Sequence, residues 1–451
     1  MSTSRPVDLA DLVGRIASRA RDGELVEVFA SRSDGVSVIA HEGEVESFTI
    51  SHGEAIGVRV VAGGREGFAS AGTLDDDVVA TLLDEARENA TFAEIDPHAG
   101  VAEPDGFEPP ALCLFDEAVP RTGRHDKIRL ALDLESATKS AHPAICGVRQ
   151  ATYGDHWGEA AVANSLGVQA AGSVSSCHIG VAAMASDGTM TTIASSVDAG
   201  RDPSKLDVEK VARDAAHRAA RILGAAPVPT RRLPVVFEPR KTAVLVGLVL
   251  DMLSGEMVTK GRSPFTDRLD HTIASEALTI VDDPTDPDSL GADTHDGEGL
   301  ACRRNLLVDR GRLVGFLHNS TTARRFGCRS NACALRGARS LPGVGAHAPH
   351  VEPGEGDLES LISSLDEGFL VQSLVGLHSG VNPISGDFSV GAEGLLIRDG
   401  SVAEPVREVT LASTLQRVLM DVMAVGADLE YLPDGSVVPT VVIGEMTLAG
   451  R

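Results

Sequence analysis

Hydrolysis by a helix-borne zinc ion needs two histidines one helical turn apart and a neighbouring carboxylate. The imidazoles hold the metal, and the carboxylate takes the proton of the metal-bound water. Neither HExxH nor HExxxH occurs in these 451 residues. His41-Glu42 has no second histidine nearby, and no histidine lies between His217 and His271. His347 and His350 form a short pair in a Gly/Pro loop, without the convergent third ligand a metal requires. Cys177 and His178 are adjacent in a strand-like run, which sends their side chains to opposite faces. Cysteines 113, 146, 177, 302, 328 and 333 form no CxxC pair, so no zinc ribbon is possible. They are read as free, reduced and mostly buried, which fits a reducing compartment.

Nucleophile motifs are equally incomplete. Ser136-Ala137-Thr138-Lys139 matches SxxK, but its SDN and KTG companions are absent, and Lys241-Thr242-Ala243 is only a near miss. An amphipathic helix explains the pattern. Asp387-Phe388-Ser389-Val390-Gly391 has half of a nucleophile elbow, with Asp387 where the first glycine belongs. Ser389 is therefore read as structural or groove-lining. The acidic stretches Asp282-Asp283-Pro284 and Asp293–Gly299 do not have EF-hand spacing, and turn chemistry accounts for them. Walker A and GxGxxG are absent.

The elements that would position these residues follow from periodicity. Helical spacing covers Leu9 to Ala20 after Pro6, Asp75 to Phe92, His125 to Ser140 and Lys205 to Leu223. Between the first two, short alternating runs at 25–30, 36–40, 45–50 and 55–61 read as a meander. Its turns fall at Ser33-Asp34-Gly35, His41-Glu42-Gly43 and Gly63-Gly64. A second meander occupies 147–153, 159–164, 168–184 and 190–196. Residues 93–120, rich in proline, read as a linker or draped segment. After Pro227-Val228-Pro229 come a strand, Leu233 to Phe237, a helix, Thr242 to Leu253, and many short strands with Gly and Pro turns. The expected class is α+β with antiparallel sheets. The expected domains are 1–110 and 111–228, each a helix–meander unit, and 229–451, mainly antiparallel β.

Net charge is −25 with a pI near 4.9, which disfavours nucleic acid as a partner. The one basic cluster, Arg324, Arg325, Arg329, Arg336 and Arg339, reads as a solvated loop or subunit contact. Met1–Arg21 has no secretory apolar core, and the longest apolar run, 243–253, is too short to span a bilayer. No membrane role and a cytoplasmic location are the expectations.

The densest local signal is Gly376–Gly394, where glycines alternate with small polar residues before a strand and hairpin at 395–401. Its part Ser385–Gly394 resembles the TldD/PmbA family of metallopeptidases. So do Gly57–Ser70, Ser263-Pro264-Phe265, Leu278–Pro284, Asp296–Gly299 and Pro439–Ile443, in the same order along nearly the whole chain. The resemblance is to the PmbA (TldE) branch. In the catalytic sister subunit the helix matching 243–256 carries HExxxH, and a cysteine near the C-terminus adds a ligand. Here the matching stretch includes Asp251, Met252, Ser254, Gly255 and Glu256 without a histidine, and no cysteine follows Cys333. The resemblance therefore implies a metal-free subunit, with zinc in a TldD-like partner and unfolded peptide as substrate. It implies no catalytic or metal-ligating residue in this chain. Gly386, Asp387, Phe388, Ser389 and Gly391 are the expected chamber wall or subunit contact. A homodimeric peptide- or partner-binding protein without activity is the alternative.

Overall fold

The computed structural model describes residues 7–450; the expected helix start after Pro6 lies partly outside them. Asp8 caps α1 (Leu9–Ala17) by accepting from the Asp11 N–H at 3.2 Å. β1 (Glu24–His41), β2 (Glu44–Ala62) and β3 (Arg65–Ala71) form the first meander, covered by α2 (Asp76–Phe92). A short turn of helix, α3 (Ala118–Arg121), closes the proline-rich segment. Then come α4 (Arg124–Ser140), β4 (Ile145–Asn164), β5 (Gln169–Ser186), β6 (Thr191–Gly200) and α5 (Val208–Ala220).

One predicted turn is absent. Ser33-Asp34-Gly35 lies inside β1, and the gaps in β2 and β4 are likewise strand, giving strands of 18 to 20 residues. The reason is the helix layer. Val26, Val28 and Ala30 pack in a core with α1 and α2, whereas Val36, Val38 and Ala40 pack in a separate core with α4 and α5. One strand therefore serves two helix pairs. The polar stretch between them, with Arg32 and Asp34, bridges the interval where no apolar side chain is needed. The turns at His41–Gly43 and Gly63-Gly64 are present; Glu42, Gly43, Gly63 and Gly64 take positive φ.

Both meanders join in one sheet, ordered β3-β2-β1-β4-β5-β6, because β1 pairs antiparallel with β4 from Glu27↔Asn164 to Ala40↔Ala151. The remaining chain opens with β7 (Arg231–Phe237), α6 (Pro239–Met252) and α7 (Gly255–Thr259). Its main sheet holds β7 with the strands 367–375, 387–398, 401–414, 422–425 and 441–449. Strand 401–414 also pairs with 441–449, which curls the sheet onto itself. The pairing is antiparallel apart from β7 with 367–375, and a second sheet contains one parallel bridge, His350↔Val437. Phe237, Met252, Phe265 and Phe369 fill the core between these layers. No helix among the described residues is long and apolar enough to cross a membrane.

Candidate functional site

The helix end that the sequence singles out is built as packing. Met252 is fully buried in the core, and Asp251 is exposed. Helix α6 stops at Leu253, whose carbonyl accepts from Leu317 N–H at 3.0 Å, while Gly255 N–H donates back to Leu317 at 2.6 Å. Ser254 caps α7 through the Met257 N–H, and Glu256 pairs with Lys260 at 2.5 Å. Gly255 is required by close approach: a Cβ there would lie 2.3 Å from His318 Nδ1. The buried His318 ring, edge-on to Phe316, blocks that side, and burial pushes its pKa down to about 4. Among the described residues no three His, Cys, Asp or Glu side chains converge as a metal site. Thioether, hydroxyl and two exposed carboxylates, one of them paired with Lys260, do not fit Zn²⁺ at this position.

The Gly376–Gly394 run is a short helical turn, Leu377–Gly380, followed by the strand 387–398. Phe388 points into the core, whereas Asp387 and Ser389 face outward with Gly391 half-buried beside them. Gly386 takes φ +82, and the Ser385 hydroxyl donates to Asp387 at 2.6 Å. Ser389 is exposed, and among the described residues its hydroxyl has no basic side chain as a hydrogen-bond partner. Ser136 is exposed, and Lys139 pairs with Glu135 at 2.5 Å, so the SxxK pattern is an ordinary helix face. Val375, Ile384 and Met420, each at least half exposed, lie on the run or on elements that abut it.

A cleft of about 630 Å³, missed in the sequence, opens between the first sheet and the C-terminal loops. It is bounded by β1, β4 and β5 on one side and by 293–297, 334–337 and His347 on the other. At its inner end sits a buried charge cluster. Glu27 and Arg59 are cross-strand partners in β1 and β2, 3.3 Å apart. Arg336 reaches Glu27 from the C-terminal domain at 2.5 Å, and both side chains are 0 % exposed. Arg59 also meets Glu66 at 2.5 Å and Glu298 at 3.7 Å. Burial works against the Arg59 charge, but Glu27, Glu66 and Glu298 outweigh it and hold its pKa above the usual value. Burial first, and Glu27 second, raise Glu298. Burial and Glu298 push Asp296 up to about 8.

The basic cluster is thus only partly a solvated loop: Arg325, Arg329 and Arg339 are exposed, but two of its members are not. Arg336 is buried, and Arg324 donates to the carbonyls of His98 and Gly100 at 2.8 Å, clamping the proline-rich segment. Arg59 donates to the same Gly100 carbonyl at 2.7 Å. Of the acidic loops, Asp282 is fully buried and accepts the His347 and Ala348 N–H groups at 2.8 Å, a loop-holding role. Asp296 likewise accepts from Glu298, Leu300 and Ala334. Cysteines 177, 302 and 333 are buried but 113, 146 and 328 are exposed, so burial holds for half of them. His178 is exposed on the face opposite buried Cys177. The one clue to the cleft in the sequence was Gly297-Glu298-Gly299, a charge set between residues that permit close approach.

An α+β chain with a long curved antiparallel sheet over a second β lobe defines a fold class shared with solved structures. The protein of this class titled as TldE, from Thermococcus kodakarensis, superposes with TM-score 0.87 over 94 % of this chain and 97 % of that one at 24 % identity. A structure titled as a putative modulator of a DNA gyrase, from Thermotoga maritima, gives TM-score 0.87 over 95 % and 96 % at 23 % identity. In sequence the chain matches the PmbA/TldA metallopeptidase domain 1 over residues 26–90, the central domain over 121–223 and the C-terminal domain over 230–450. It is 29 % identical to metalloprotease PmbA of Escherichia coli O157:H7, covering 97 % of this chain and 94 % of that protein. The chain belongs to the PmbA/TldD family of metallopeptidases.

Proposed function

We propose that this chain is the metal-free subunit of a heterodimeric zinc peptidase of the TldD/TldE type, acting on unfolded peptides in the cytoplasm. The observation that carries the reading is the α6–α7 junction. Met252 is committed to the core and Gly255 is closed off by His318, so the position offers packing where a peptidase helix would offer ligands. A chain without a ligand set contributes walls and contacts, and catalysis comes from a zinc-bearing companion. The exposed Val375, Ile384 and Met420 around the glycine-rich run fit a subunit contact.

The test is to purify the chain alone and together with an HExxxH-bearing homologue, then to measure mass in solution, bound zinc and peptide cleavage. A mixed dimer with one zinc per pair and activity only in the mixture is expected. Stoichiometric zinc with cleavage by the lone chain would overturn the reading. A stable homodimer that ignores the homologue would favour the non-enzymatic binding protein.

A further inference from the structure

The cleft between the first sheet and the C-terminal loops has a floor of small side chains. Register sets Ser31 of β1 beside Ala160 of β4 and Gly172 of β5, with Ser33 and Gly158 in the next row. Such a floor is flat and lets a backbone lie close. The roof carries donors with nothing to donate to. Arg336 gives Nη1 to Glu27, and its guanidinium lies 5.1 Å from the centroid of Phe29, which also lines the cleft. Among the described residues its Nε and Nη2 are buried without a hydrogen-bond partner, as is Nε2 of His347, which is a donor in the Nε2–H tautomer. Buried donors left unmade are unfavourable and mark a place where an acceptor belongs.

Charge decides which acceptor. Arg336 is balanced by Glu27, and Arg32 by Glu54 at 2.9 Å and Glu159 at 3.1 Å. Asp296 is taken up by three backbone N–H groups. Among the described residues no unbalanced arginine or lysine lines the cleft to recruit an anion, so the fitting partner is a neutral carbonyl.

We propose that this cleft binds an extended, uncharged peptide main chain lying across Ser31, Ala160 and Gly172, with its carbonyls accepting from Arg336 and His347. The proposal rests on the peptide-handling reading and assigns this subunit its own contact with the substrate, away from the α6–α7 junction.

The experiment is fluorescence anisotropy of the isolated chain with a short, unstructured, dye-labelled peptide of Ala, Gly, Ser and Gln, as the C-terminal amide and as the free acid. Both forms should bind alike and with little dependence on salt. Gly172→Leu should weaken binding roughly tenfold or more. A Cβ at 172 meets only Thr294 Oγ1, at 3.7 Å, so the leucine fills the cleft without backbone conflict. Gly147→Leu, at a position with nothing within 4 Å, should bind as the parent does. Arg336→Lys keeps the charge beside Glu27 but loses the planar fork that places donors at Nε and Nη2, and should weaken binding roughly five- to tenfold. Circular dichroism and melting confirm that each variant folds. No binding by the parent, parent-like binding by Gly172→Leu, or binding of the free acid alone overturns the proposal. The zinc and mixed-dimer measurements above stand apart from these results, so either reading can fail without the other.

Discussion

Replacing Arg336 by methionine removes one side of a fully buried ion pair and leaves its volume nearly filled. Glu27 and Arg336 are both 0 % exposed and 2.5 Å apart, so water cannot solvate the carboxylate that remains. Stranding a buried charge costs about 3–5 kcal/mol. Arg59 still lies 3.3 Å from Glu27, which places the loss at the lower end, about 3 kcal/mol. For cooperative units of this size, each kcal/mol moves Tm by about 2–4 °C, so a fall of roughly 6–12 °C is expected. Differential scanning calorimetry is the suitable assay, because a chain with two lobes need not unfold in one step. The exposed helical pair Glu256–Lys260 is the control: Lys260→Met should cost about 0.5 kcal/mol at most. Adding Glu27→Gln to Arg336→Met should restore part of the loss, since no ionised carboxylate is then stranded at position 27. A single-variant loss below about 1 kcal/mol, or a double variant as unstable as the sum of the two singles, would refute the reasoning.

The carboxylates of the same cluster make stability depend on pH. Asp296, held near 8 when folded but ordinary when unfolded, binds an extra proton in the native state between about pH 4 and 8. Stability should therefore fall as pH rises through that window, by at most about 1.4 kcal/mol per unit. Glu298→Gln should flatten the slope in melts taken across the window, and an unchanged slope would count against the Asp296–Glu298 coupling. In the glycine-rich run, Gly386→Ala should cost about 1–2 kcal/mol because φ is +82. Gly391→Ala, whose Cβ would meet Val375 O at 3.4 Å, should stay within about 0.5 kcal/mol in the same denaturant titration. Phe237→Ala should lose about 3–5 kcal/mol, as its side chain is fully buried in the C-terminal core; a loss under about 1 kcal/mol would mean that this core is not the stabilising one.

The helices and hairpin turns were legible because each is local. Apolar spacing marks α2 and α4, and glycines at positive φ mark the ends of β1 and β2. The absence of histidine from 249–256 was equally plain, since a missing donor needs no geometry to be seen. The polar interval Ser33-Asp34-Gly35 misled because a turn and a solvated strand centre have the same composition; only the two helix pairs stacked on one sheet distinguish them. The arginines at 324 and 336 misled for a related reason. A charge looks solvated in sequence, and it becomes buried only when partners from distant segments, here Glu27 and the Gly100 carbonyl, arrive to satisfy it.

Residue order alone thus determined the local elements, the absence of histidine from 249–256 and the family likeness. Tertiary structure decided the single continuous sheet, the closure of Gly255 by His318 and the cleft between the lobes, because each depends on groups brought together across long stretches of chain.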